Sequence, residues 1–347
     1  MFRHVLRRSV ARAIDLAPQS AAYWLRGCME RFAFNRTPLI HDLPQIFHYW
    51  SNTYLRPRLE AIGFSSPDDF FFRTIAAQAA LWDGRLRCLS VGAGRCETEL
   101  ALARRLRAQG LDDIVIVCTD LNPQLLRAGE RCAHAAGLAD RFVFEVADIS
   151  RRQPGRRYDV IIANQCLHHF VELETILDNI HALLDDDGVF AISDVIGRNG
   201  HQLWPEALEE FLVFWRELAP RQRYDRVLRR RCDEYINYNH ADVGFEGIRA
   251  QDILPLLVER FGFAVFAPYA CIALPLVERR FGANFDPANR ADRAFVDRLA
   301  QRDQALLDAG RLKPTQLIAA LHKQPVAATR STTHFSPAAC IRATGAD

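Results

Sequence analysis

The sequence predicts an α/β protein whose central sheet is mostly parallel and wound on both faces by helices. Three observations predict it. From residue 86 to residue 197, short apolar runs alternate with segments of helical periodicity. The turn Gly92-Ala93-Gly94 joins the first apolar run to the first helical segment. Acidic and amide residues stand at or near the ends of the later runs: Asp120, Asp148, Asn164 and Asp194. An open parallel sheet holds its ligands at the carboxyl ends of its strands.

Each element follows from its pattern. LRCLSVG (86–92) reads as a buried strand, and ETELALARRLRAQG as a helix ending at Gly110. DIVIVCTD (113–120) is a strand; NPQLLRAGERCAHAAGL is a helix capped by Asn122 with Pro123 in its first turn. RFVFEVAD (141–148) and YDVIIANQ (158–165) are strands, VELETILDNIHALL a helix, and GVFAISDVIG (188–197) a strand. Repeats of this length call for right-handed crossovers within one sheet.

The flanks read differently. Residues 1–80 form a helical N-terminal extension, and SSPDD (65–69) marks a helix start. The first fourteen residues, MFRHVLRRSVARAI, are arginine-rich and without acids, as in a solvated first helix or a membrane-surface helix. Residues 81–325 make the main domain, with a helical, aromatic insertion at about 198–245 that includes RYDRVLRRRCDEYINY. FAVFAPYACI (263–272) and TQLIAALHK (315–323) read as closing strands around the helix ADRAFVDRLAQRDQALL. Residues 326–347 are rich in Ala, Thr and Ser and are expected to be disordered.

Composition narrows the function classes. The chain has 347 residues, 49% hydrophobic and 25% charged, with a net charge of +2. That balance favours a globular protein and gives no electrostatic case for nucleic acid. No apolar run reaches the ~20 residues of a membrane-spanning helix, so no integral membrane association is expected. All but two of the 44 basic residues are arginine, the bias of a GC-rich, bacterial genome. Nine cysteines stand without a CxxC pair, which fits reduced thiols in the cytoplasm and argues against a structural zinc site. Asp194 and His168 could approach each other, but spacing alone marks no metal site.

The residues at the strand ends have definite chemistry. Gly92 and Gly94 let the backbone turn sharply and come close to a ligand, and the helix that follows presents an electropositive end. Asp120 has the chemistry to accept two hydrogen bonds from a ribose diol, or to cap NPQLL. Asp148 has the chemistry to accept from an adenine amine, beside Ile149 as apolar cover, or to serve as a loop aspartate. His168 and His169 follow the fourth strand, where one could serve as a general base or both could be structural. His201, Trp204, Trp215, Tyr235, Tyr238 and His240 make the insertion a candidate acceptor lid, or a helical add-on packed through the same aromatics.

Taken in order, SVGAGRCETEL, TDLNPQLL, FEVADI, YDVIIANQCLHHF and LLDDDGVFAISD resemble the class I S-adenosylmethionine-dependent methyltransferases. Within these they are similar to the small-molecule group that includes the ubiquinone-type enzymes. The resemblance covers residues 86 to about 197 and implies a Rossmann-like, seven-stranded sheet whose last strand is antiparallel. It implies that Gly92, Ala93 and Gly94 shape the loop around the methionine part of the cofactor. Asp120 would hold the ribose with Leu121 beside the adenine, Asp148 and Ile149 would meet the adenine amine and ring, and Asn164 would lie near the methyl group. It implies a small-molecule acceptor, methylated at O, N or C; the oligomeric state is left open. Two positions depart from the pattern: Ser90 replaces an acidic residue and Cys96 a third glycine. A non-catalytic cofactor-binding module and an NAD(P)-dependent oxidoreductase are the alternatives, although Glu97 stands where a dinucleotide fingerprint wants glycine.

Overall fold

The computed structural model describes residues 43–81, 84–151, 155–242 and 244–343. The arginine-rich first residues lie outside the described residues. Five strands run in parallel through the first half of the sheet: β1 Leu86–Val91, β2 Ile114–Asp120, β3 Phe142–Val146, β4 Tyr158–Asn164 and β5 Leu184–Val195. β6 Gly262–Tyr269, β7 Gln316–His322 and the two-residue β8 Arg330–Ser331 complete it. The spatial order is β8-β6-β7-β5-β4-β1-β2-β3. β7 is antiparallel to both β5 and β6, as expected of the last long strand. The chain order reverses between β1 and β4, where the first two crossovers go one way and the later ones the other.

Central position explains the composition of these strands. β4 is buried along nearly its whole length, which suits its apolar run, and its one buried carboxylate, Asp159, accepts from Arg87 N at 2.7 Å. Alternate side chains enter different cores: Leu89, Val91, Ile161 and Ala163 join one apolar cluster; Cys88, Val160 and Ile162 join the other. The first cluster packs α6 Leu173–Leu183 and α8 Ala250–Arg260. The second takes α3 Pro67–Leu81, α4 Glu97–Ala108, α5 Pro123–Ala135 and α9 Arg290–Asp308. Phe70, Phe71 and Phe72 lie in that second core. Asn122 caps α5 by accepting from Gln124 N, and Ser66 Oγ accepts from Asp69 N at the start of α3. The described part of the N-terminal segment is helical, with α1 Gln45–Trp50 and α2 Arg56–Glu60 joined by a π-helical turn, Ser51–Leu55. Among the described residues, no helix is long and apolar enough to cross a membrane.

Three expectations change. β5 begins at Leu184 rather than Gly188, because the acidic stretch stays on the strand and bulges: Tyr158 faces Leu184 while Val160 faces Val189. The insertion holds one long helix, α7 Pro205–Glu217. RYDRVLRRRCDEYINY is a tight antiparallel ribbon, Tyr224–Asp225 against Arg230–Arg231, and not a helix. Fully buried Asp225 explains this, since its carboxylate accepts from Val227 N, Leu228 N and Arg280 Nε and so closes a turn.

The tail is likewise ordered where described. Arg330 and Ser331 pair with Val265 and Phe266, Cys340 is buried, and Arg342 Nε donates to Glu206 Oε1 at 2.9 Å. Composition missed this because the tail adds to an existing sheet edge and core rather than building its own.

Candidate active site

The glycine turn leaves β1 and enters α4. Gly92 and Gly94 sit at φ +64° and +54°, in the left-handed region that glycine alone enters freely. A Cβ on Gly92 would meet Cys166 Cβ at 2.8 Å, so the loop after β4 presses directly on the turn. Asp120 ties the turn to the next strand: Oδ2 accepts from Gly94 N at 2.9 Å and Oδ1 from Asn122 N at 2.7 Å. Leu121, beside it, is exposed.

Cys96 holds φ +58°, the conformation for which a third glycine would be suited. It fits because its neighbour on α5 is Gly129, where a Cβ would meet Cys96 Sγ at 2.8 Å. The small residue has moved to the facing helix. Ser90 is compensated as well. Its hydroxyl donates to Glu99 Oε1 at 2.6 Å, and Glu99 is buried in the first turn of α4. Burial, opposed by the Ser90 bond, lifts the Glu99 carboxyl to about 6. Glu99 Oε2 is buried without a hydrogen-bond partner among the described residues. A buried carboxylate thus stands beside Ser90, supplied by the helix. Sequence reading missed Glu99; its spacing of nine residues from Ser90 carries no signal until the turn folds.

Asp148 closes the small turn after β3, its Oδ1 accepting from the Ser150 backbone and hydroxyl at 3.0 and 2.6 Å. Ile149 is buried beside it. Asn164 ends β4 and donates from Nδ2 to Thr98 Oγ1 at 3.1 Å, joining that strand to the start of α4. Gly92, Ala93, Gly94, Asp120, Asp148 and Asn164 therefore all lie at the carboxyl ends of β1 to β4.

Beyond β4 and β5 lies a group of imidazoles and carboxylates. His168 Nδ1 and Asp194 Oδ1 are 2.6 Å apart, and both residues are buried. Asp194 Oδ2 also accepts from Cys166 N and Leu167 N. Burial would lower the His168 pKa, but Asp194 and then Glu246 outweigh it and raise it to about 10. His201 and Glu246 come from the insertion and its continuation, with His201 Nε2 and Glu246 Oε1 2.9 Å apart. Glu246 Oε1 lies 3.7 Å from His168 Nε2, and Oε2 lies 4.0 Å from His169 Nε2. Burial drives His201 and His240 to low pKa, His240 to about 4. Burial opposes the Glu246 charge, yet His168 and His201 hold it well below the carboxylate range.

The lid residues divide. His201, His240 and Tyr238 join the cluster through ring contacts of 5.9 Å between His201 and His240 and 5.0 Å between Tyr238 and His240. Trp204 and Trp215 are buried, and Tyr235 packs on Phe211 and Trp215, so these three support the insertion. Glu246 went unnoticed in the sequence because 78 residues separate it from His168.

Residues 89–190 match the family model described as a methyltransferase domain. No curated protein matches the chain. Among solved structures it is similar to CurJ carbon methyltransferase, at 22% identity over 33% of this chain and 30% of that one, with a TM-score of 0.29. It is similar to the CMeT domain of citrinin polyketide synthase, at 21% identity over 40% and 39% of the two chains, TM-score 0.33. It is also similar to geranyl diphosphate methyltransferase in complex with SAM, at 10% identity over 74% and 84%, TM-score 0.42. The chain thus spans less than a third of the first of these.

Proposed function

With residues 89–190 a methyltransferase domain, we propose that this chain is an S-adenosylmethionine-dependent methyltransferase of a small-molecule acceptor. The observation that carries the reading is the pair of hydrogen bonds that Asp120 accepts from Gly94 N and Asn122 N at the switch point of the sheet. The crevice suits the cofactor. The turn at Gly92 and Gly94 forms a close backbone cradle, and Cys96 places no side-chain cap on α4, whose electropositive end favours a carboxylate. Asp120 takes the ribose, Leu121 and Ile149 flank the base, Asp148 faces its amine, and Asn164 lies toward the methionine part. When bound, the cofactor supplies an electrophilic methyl group on sulfur.

The chain's own work is to orient the acceptor, exclude water and receive a proton. We place the acceptor between the glycine turn and the imidazole cluster. His168 is already committed to Asp194 and acts as a positioning residue. His169, tilted against His168 with ring centroids 4.2 Å apart and partly open, is the proton acceptor. The free thiols suit a reducing cytoplasm, and the balanced charge suits a small molecule better than a nucleic acid. The domain match favours methyl transfer over hydride transfer, and it does not extend to the ubiquinone-type subgroup.

Calorimetric titration tests the cofactor assignment. Micromolar S-adenosylmethionine binding, with NAD inert and Asp120→Ala at least about tenfold weaker, is the expected result; one lost charge-assisted bond accounts for that factor. Absence of binding to the folded chain overturns the reading. Binding with no turnover on any acceptor returns the chain to a cofactor-binding module.

A further inference from the structure

We propose that His168, His201 and Glu246 form a binding site for a divalent transition-metal ion beside the methyl-transfer crevice. The three donor atoms all lie within 4.8 Å of one another. His201 Nε2 and His168 Nε2 stand 2.9 and 3.7 Å from Glu246 Oε1. A tetrahedral ion with bonds of about 2.1 Å keeps its ligand atoms about 3.4 Å apart. The two separations to Glu246 therefore need to shift by only a few tenths of an ångström, and the two imidazole nitrogens stand within 4.8 Å of each other. Two imidazoles and one carboxylate suit zinc, iron(II) or cobalt(II) rather than calcium or magnesium.

The surroundings hold the ligands as a metal site requires. A ligating imidazole usually passes its second nitrogen to a carboxylate, which fixes ring and tautomer. His168 does so through Nδ1 to buried Asp194, leaving Nε2 toward Glu246. Asp194 is itself held by Cys166 N, Leu167 N and Val195 N. On the opposite side, Gly200 and His201 occupy consecutive left-handed conformations at φ +66° and +54°. A non-glycine residue held there is strained, and such strain collects at functional sites. Gly200 N donates to Gly247 O at 2.8 Å, and a Cβ on Gly247 would meet Gly200 N and the His201 ring at 3.1 Å. The His201 turn is thus pressed against the backbone beside Glu246.

Charge agrees. Glu246 and Asp194 bring two negative charges to two imidazoles, which an ion of charge +2 balances without a proton on His168. Three protein ligands also leave coordination positions open, as catalytic sites do. Water or another oxygen donor is the ligand expected there. The metal proposal stands apart from the transfer reading, since it needs neither cofactor nor turnover.

Cobalt(II) titration of chelator-treated full-length protein tests it by visible d–d absorption, with zinc(II) as competitor. One equivalent should bind with tetrahedral-type bands and be displaced by zinc. Glu246→Gln and His201→Gln should each weaken binding by more than about 100-fold, and Asp194→Asn by about 10–100-fold. Glu246 is 45% exposed, so its variant should fold even if changes at buried His168 do not; circular dichroism checks this. No cobalt binding by the folded chain, or binding unchanged in both ligand variants, overturns the proposal. A sulfur-to-cobalt charge-transfer band does so too, because it moves the ion to the Cys96–Glu99–Cys118 group under the glycine turn. S-adenosylmethionine calorimetry on the same samples separates loss of the metal site from failure of the transfer reading.

Discussion

Nδ1 of His168 and Oδ1 of Asp194 lie 2.6 Å apart with neither side chain more than 4% exposed. The pair joins the loop after β4 to the end of β5 and sets the direction in which the second imidazole nitrogen points. Removing the charge from one partner leaves the other buried without its counterion, which costs about 3–5 kcal/mol. Asp194→Asn should therefore lower unfolding stability by that amount in urea denaturation. A change below 1 kcal/mol would mean that the pair contributes no more than a surface contact.

The same pair gives the protein a signature in pH. Asp194 lifts the His168 pKa from 6.5 to about 10 despite burial. The stabilisation linked to the His168 proton is therefore complete below about pH 6.5 and is lost as the pH rises toward 10. Asp194 is shifted the other way, burial being outweighed by His168, so its contribution is lost in acid. Denaturation curves taken with chelator present should show stability falling from neutral pH upward, and His168→Asn should flatten that fall.

Glu99 predicts a slope of the same sign at lower pH. Its carboxyl rises from 4.5 to about 6, chiefly through burial. The folded state therefore holds this proton more tightly than the unfolded chain. The charging cost is absent below pH 4.5 and reaches about 2 kcal/mol once the pH passes 6. Glu99→Gln should keep the Ser90 contact and gain up to that much above pH 6, with no gain at pH 4. Equal stability of the two proteins at pH 8 would refute the assignment.

Gly129→Ala tests the compensation for Cys96. The added methyl group would meet Cys96 Sγ at 2.8 Å and Arg95 O at 2.9 Å. Overpacking of this kind costs about 1–3 kcal/mol. It should also push the glycine turn outward and weaken S-adenosylmethionine binding. Cys96→Gly in the same chain should recover part of both losses, since it removes the sulfur and suits the left-handed backbone.

His169→Gln separates chemistry from cofactor binding. If His169 receives the acceptor's proton, turnover should drop by about 10²–10⁴ with S-adenosylmethionine affinity unchanged. Equal losses in both would make His169 a packing residue.

The parts of this protein legible in its sequence are those governed by local periodicity. Buried parallel strands must be continuously apolar, so β1, β2, β4 and most of β5 stand out, and the strand ends then locate Gly92, Gly94, Asp120, Asp148 and Asn164. The RYDRVLRRRCDEYINY stretch misled because its helix-like spacing was overruled by one buried carboxylate, Asp225. The tail misled because its few apolar residues use a core and a sheet edge made elsewhere. Tertiary structure alone decided that Glu99 places a buried carboxylate beside Ser90, that Gly129 makes room for Cys96, and that Glu246 reaches His168 and His201. Each of these joins residues on different elements, and only the packed sheet brings them within a hydrogen bond or a van der Waals contact.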